Sequence, residues 1–237
     1  MELNSVEEEI DGLLGKVGFY LQTYRSLDAF NLLQQAEGRL AGNDIQSPVK
    51  AAVYRLMADC QIQMGKMEEG INYLIQCYEC TEDDDNKAAA AGLISTYYLQ
   101  LGKKEKALDY AEKALSTAKA PELKSRPYQI QGAIAGNEGD YLRAIELMTK
   151  AAEKAEQAHC LTDLAMIIMD MSALFVKMGK LETALSEVYR AERYVKESRN
   201  FDLFQRCAIR RAKILYKMGR DEDAKNLIDT LDEQKIG

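Results

Sequence analysis

The chain has 237 residues, 47% of them apolar and 29% charged, and a net charge of -7. That balance belongs to a globular chain and not to a disordered one. No run reaches the ~18 apolar residues of a membrane-crossing helix, and the acidic excess argues against a broad nucleic-acid surface, which needs clustered Lys and Arg. There is no Trp, and there are only three Pro. Ala, Leu, Glu, Lys and Met are plentiful and favour helix.

The chain opens with MELNSVEEEI, which is acidic, whereas a secretory signal starts basic and then turns apolar. Five cysteines, Cys60, Cys77, Cys80, Cys160 and Cys207, are spread through helical phrases. They are read as reduced thiols of a cytoplasmic protein.

From residue 10 onward one phrase recurs. Its turn glycine falls at Gly65, Gly102, Gly139, Gly179 and Gly219, at steps of 37, 37, 40 and 40 residues. In an earlier copy Tyr24 stands in the glycine's place. Five residues later comes a small residue, namely Ala29, Gly70, Ala107, Ala144, Ala184 and Ala224. Seven past that stand Ala36, Cys77, Ala114, Ala151, Ala191 and Leu231, and seven before the turn stand Val17, Ala58, Ser95, Gly132, Ser172 and Ala212. Small residues at fixed helical spacing let two helices approach closely, and the larger apolar residues between them fill the remaining space.

Each copy therefore predicts helix, tight turn, helix. Gly takes the positive φ of a helix C-terminal cap, and Glu105, Glu182 and Glu222 fall in the first turn of the next helix, where the dipole favours acids. Pro121 and the run Thr81 to Asn86 fall between copies, where loops are expected. The acidic part of that run lacks the spacing and Gly of a calcium loop and is expected to supply an N-cap to the following helix.

Six such copies resemble the tetratricopeptide repeat family. The resemblance rests on the small residues Ala58, Gly132 and Ala212, the five turn glycines, the alanines at 107, 144, 184 and 224 and at 114, 151 and 191, and the aromatics Tyr20, Tyr98, Phe175 and Tyr141. The family's Trp and late Pro are missing, and the period of 37 to 41 residues exceeds the family's ~34. The resemblance implies an all-α, right-handed superhelical solenoid of about six helix-turn-helix repeats. It covers 10–235, after an acidic segment at 1–9, with repeats at about 10–46, 47–86, 87–123, 124–163, 164–203 and 204–235. Neighbouring pairs would share a core that no pair can build alone.

The resemblance also places the first helix of each pair on a concave groove that binds a protein or peptide. The stripe expected to face inward includes Ala52, Leu56, Asp59 and Gln63 in the second copy, Ala89, Leu93, Thr96 and Gln100 in the third, and Arg206, Arg210, Lys213 and Lys217 in the sixth. Leu203 to Arg220 holds six basic residues and no acid. Such a cluster suits an acidic segment, a phosphate or a C-terminal carboxylate. Alternatively it is a solvated face paired with acids such as Asp170 or Glu187. The candidate partner-binding residues are Arg126, Gln129, Met166, Met169, Lys177, Arg206, Arg210, Lys213 and Lys217. Asp59 and Thr96 stand where one subclass of the family uses Asn to grip a terminal carboxylate, so that specificity is not expected.

No catalytic motif is present. Cys77 and Cys80 form a CxxC, but no second pair or nearby His accompanies it, and Cys77 occupies a packing position. His159, the only histidine, sits beside Cys160 without an orienting partner. No enzyme activity, cofactor or metal is expected, nor is nucleic acid or membrane a partner.

The leading expectation is a protein–protein interaction scaffold or adaptor. The alternatives are a peptide-sensing regulator and a structural subunit that uses its outer surface. With repeats filling the chain, an effector is expected on another polypeptide. The acidic start (Glu2, Glu7, Glu8, Glu9 and Asp11), the basic sixth copy and the thinly covered Ile228 and Leu231 predict association through an end of the array, as a homodimer or with a partner.

Overall fold

The computed structural model describes residues 2–40 and 47–233, with side chains for 9–40 and 48–231. The last residues of the first predicted repeat, 41–46, and the last two of the sixth, 234–235, lie outside this range, as do the side chains of Glu2, Glu7 and Glu8.

The described residues form an all-α repeat solenoid of twelve helices and no strand. The helices are α1 (Glu2–Gln22), α2 (Ser26–Leu40), α3 (Ser47–Gln63), α4 (Met67–Cys80), α5 (Asp84–Gln100), α6 (Lys104–Thr117), α7 (Pro121–Asn137), α8 (Tyr141–Gln157), α9 (Leu161–Lys177), α10 (Leu181–Ser198), α11 (Phe201–Lys217) and α12 (Asp221–Glu233). They divide into two compact units, Met1–Leu123 and Lys124–Gly237.

Within each pair the small residues do what the spacing predicts. Ser95 Oγ donates to the Ala107 carbonyl at 2.7 Å, and Ser172 Oγ to that of Ala184 at 2.8 Å. In the pair α7–α8, Gly132 takes the serine's place, and a Cβ there would lie 3.1 Å from the Ala144 carbonyl oxygen. The crossing residues are thus seven before the turn and five after it, and backbone passes within reach of a hydroxyl.

The turns are closed by paired hydrogen bonds. The Gly65 amide donates to Ile62 and the Lys66 amide to Gln61, at 2.9 and 2.8 Å. This is the left-handed cap that satisfies the last carbonyls of a helix. Tyr24 makes the same turn at φ +56° without being glycine. His159 and Arg199 repeat it between pairs, at φ +54° and +53°.

Two loop expectations need correction. Pro121 opens α7, where its fixed φ suits the first helical position and no amide is missed. The acidic run is a loop only at 81–83, because Asp84 to Asn86 form the first turn of α5. Asp83 caps it, accepting from the Asn86 amide at 2.8 Å.

In the first unit Ile10, Val17, Leu33 and Met57 are buried together. Ala88, Ala91, Ala107, Ala111 and Ala114 are buried along α5 and α6, and Ala90 packs with Ala51 and Cys77. In the second unit Met148, Leu164, Ile167, Ile168, Val188 and Ile214 are buried together.

Candidate protein-interaction face

In the second unit α7, α9 and α11 lie side by side and carry the candidate residues. Gln129 Nε2 on α7 donates to Asp170 Oδ2 on α9 at 2.8 Å. Near the other end, Lys177 Nζ on α9 donates to Asn137 Oδ1 on α7 at 3.2 Å. The packing that brings these helices close is visible at Gly136: an added Cβ would meet Leu174 Cδ2 at 2.4 Å.

Arg206 and Arg210 on α11 bring positive charge to Asp170 but form no ion pair with it. Burial pushes the Asp170 carboxyl above the usual carboxylate range, against the pull of Gln129, Arg210 and Arg206. Glu187, the other expected counter-ion, holds Arg190 on its own helix at 3.3 Å. Among the described residues Arg126, Arg206, Arg210, Lys213 and Lys217 enter no hydrogen bond or ion pair, and all but the half-buried Arg210 are exposed.

Two candidates are placed differently from expectation. Met169 is 5% exposed and belongs to the core, so it is not an open groove residue. Three residues along a helix carry a side chain about 60° round its axis, which takes Met169 from the flank where Met166 sits to the side packed in the core. Lys213 borders a cleft of about 430 Å³ with Ile209, Ala212, Tyr216, Ile228 and Leu231, so it belongs to the last pair's apolar edge as well as to the basic stripe. Met166 is half-buried against the core.

One polar pair escaped the sequence reading. Glu192 on α10 is buried and accepts from Arg211 Nη1 at 2.7 Å, while its Oε1 has no partner. Burial raises its carboxyl, opposed by Arg211 and Lys196. No spacing rule connects residues 192 and 211, because their meeting depends on how α10 packs on α11.

The cysteines are built for packing. Burial pushes the Cys60, Cys77 and Cys207 thiols up to about 11, far from a nucleophile's range. Cys80 Sγ turns back on the Cys77 carbonyl. No group of His, Cys, Asp and Glu among the described residues is placed to hold a metal ion, and no described helix is long and apolar enough to cross a membrane.

The tetratricopeptide repeat model matches residues 49–120, inside the first unit. The match identifies tetratricopeptide repeats in that stretch of the chain. No curated protein matches the sequence.

Solved structures share the fold of this repeat protein. One is aspartyl phosphate phosphatase F from Bacillus subtilis, 20% identical, with a TM-score of 0.79 over 100% of this chain and 63% of that one. Pseudomonas aeruginosa pilF is 16% identical, with a TM-score of 0.67 over 98% and 95% of the two chains. A Rap protein complexed with competence and sporulation factor is 15% identical, with a TM-score of 0.63 over 94% and 75%. The repeat protein thus spans less than two thirds of the Bacillus phosphatase. At these identities the likeness is one of fold.

Proposed function

We propose that this repeat protein is a cytoplasmic, non-catalytic adaptor that holds an acidic protein or peptide segment against the α7–α9–α11 face of its second unit. The observation that carries the reading is the stripe Arg206, Arg210, Lys213 and Lys217, whose cations form no ion pair among the described residues. Arg126 and Lys177 extend the positive charge across α7 and α9. Gln129, tied to Asp170, orders the centre of the face. Cys60, Cys77 and Cys207, which stand as buried thiols and not in disulfides, support a reducing compartment.

The neighbour complexed with competence and sporulation factor supports a second reading, in which a signalling molecule binds the same face and regulates a partner. The exposed apolar faces of α1 and α12 support self-association through the ends of the array.

The adaptor reading is tested with a labelled Glu-rich peptide in fluorescence anisotropy. Wild type binds it, and affinity falls as salt rises. The triple variant Arg206→Glu/Arg210→Glu/Lys213→Glu weakens binding by about tenfold or more, since each exposed charge pair contributes roughly 0.2–1 kcal/mol. Equal binding by wild type and the folded triple variant would sink the reading.

A further inference from the structure

Stacking in this fold follows one register. The residue four past the small residue of each second helix is buried in the shared core: Leu33 and Leu74 in the first unit, Met148 and Val188 in the second. At the matching place in the last pair, Ile228 is 37% exposed. It borders the cleft formed with Ile209, Ala212, Tyr216 and Leu231.

The residue five before the next turn is buried in the same cluster as such a residue. Cys60, Leu174 and Ile214 hold this position and are buried. Leu174 shows how the seat is made. It fits a hollow in the preceding pair floored by Gly136, where a Cβ would stand 2.4 Å from the leucine and 3.4 Å from Ala144 Cβ. In α1 the same position is Phe19, 60% exposed. Gly12 and Gly15 lie one and two turns away on the same face, also exposed, so the ring stands clear of its helix.

Charge follows the same register. In the first unit Glu68, three past its turn residue, pairs with Lys103, one past the next turn residue. The last pair offers Glu222 at the first of these positions, and the first pair offers Arg25, which holds Asp28 within its own copy, at the second.

We infer that a second copy of this chain docks head to tail, with α1 of one copy laid over the α11–α12 cleft of another, Phe19 in the cleft and Arg25 facing Glu222. The contact continues the pair-to-pair interface already repeated within each unit. It rests on the reading that the ends of the array associate, and it is independent of the acidic-segment reading. Such a contact joins two different surfaces, so each added copy leaves one α1 face and one cleft free, and growth does not stop at a dimer unless a ring closes.

Sedimentation velocity over a wide concentration range tests it, using wild type, Phe19→Glu and Ile228→Glu. Both positions are exposed, and matching melting curves confirm that the variants fold. Wild type is expected to gain mass with concentration beyond the dimer. Each variant alone is expected to stay monomeric, with its apparent Kd raised more than tenfold. Their equimolar mixture is expected to form a dimer that grows no further, because only one compatible junction remains. If Phe19→Glu still dimerises while Ile228→Glu does not, the ends associate tail to tail and the head-to-tail contact is wrong. Wild-type assembly untouched by either change assigns it to another surface and overturns the inference. Wild type monomeric at every concentration overturns both the inference and the end-association reading.

Discussion

The two units use the same repeat and differ in where they keep polar groups. The ion pairs described in the first unit lie at the surface, as in Arg25–Asp28, Arg39–Glu9 and Lys113–Asp109, or are half-buried at most, as in Arg55–Asp59. The second unit buries one, Arg211–Glu192, and sets a second acid, Asp170, among cations it does not pair with. On the first helices of the first unit, the matching face carries Ala52, Leu56, Ala89 and Leu93 in place of the cations of α11. Positions that hold helices together are shared between units. Positions that face away from the crossing are free to differ, and the second unit has spent them on charge.

The largest expected effect breaks this contrast directly. Arg211→Ala leaves the buried Glu192 carboxylate without its partner and should cost about 3 kcal/mol. Lys113→Ala, which opens an exposed pair one turn apart in the first unit, should cost only a few tenths. Denaturant midpoints of the two variants measure the difference. Replacing both members of the buried pair, as Arg211→Met/Glu192→Leu, should recover most of the loss. Equal losses for Arg211→Ala and Lys113→Ala would erase the distinction between the units.

A second, smaller effect lies in the turns. Tyr24 holds the left-handed conformation that the other five turns give to glycine, at a cost of roughly 1 kcal/mol. Tyr24→Gly should therefore stabilise the first unit by up to ~1 kcal/mol, and Gly102→Ala should destabilise it by about the same amount or more. A loss of stability in Tyr24→Gly would mean that the exposed tyrosine ring contributes more than its backbone costs.

The smallest effect sharpens the electrostatic side. Asp170 is raised by burial, so the folded state binds its proton more readily than the unfolded chain does. Its charged form is disfavoured in the fold. Stability should thus increase as pH falls from above its raised value toward the ordinary carboxylate range, and decrease as pH rises through that window. Asp170→Asn should flatten this part of the pH–stability curve. An unchanged slope would assign the trend to Glu192, which is raised in the same direction.

Much of the fold could be read along the chain. The crossing Ser95–Ala107 and Ser172–Ala184 follows from residues seven before and five after each turn, and both are local to one pair. The candidate face was legible only in part. Arg206, Arg210, Lys213 and Lys217 recur at helical spacing, so their common face shows in the sequence. Met169 fits the hydrophobic pattern equally well as groove or core, and a small rotation of α9 decides between them. Pro121 looked like a loop residue because proline punctuates both loops and helix starts.

The sequence by itself determined the helix pairs, their turns and the small residues at which helices cross, because each depends on backbone geometry repeated every few residues. Only the tertiary structure decided which charges meet. Asp170 finds Gln129 across 41 positions and Glu192 finds Arg211 across 19. It also decided that Phe19 and Ile228 stand uncovered. Such outcomes depend on how successive helices pack side by side, and that packing leaves no period in the sequence.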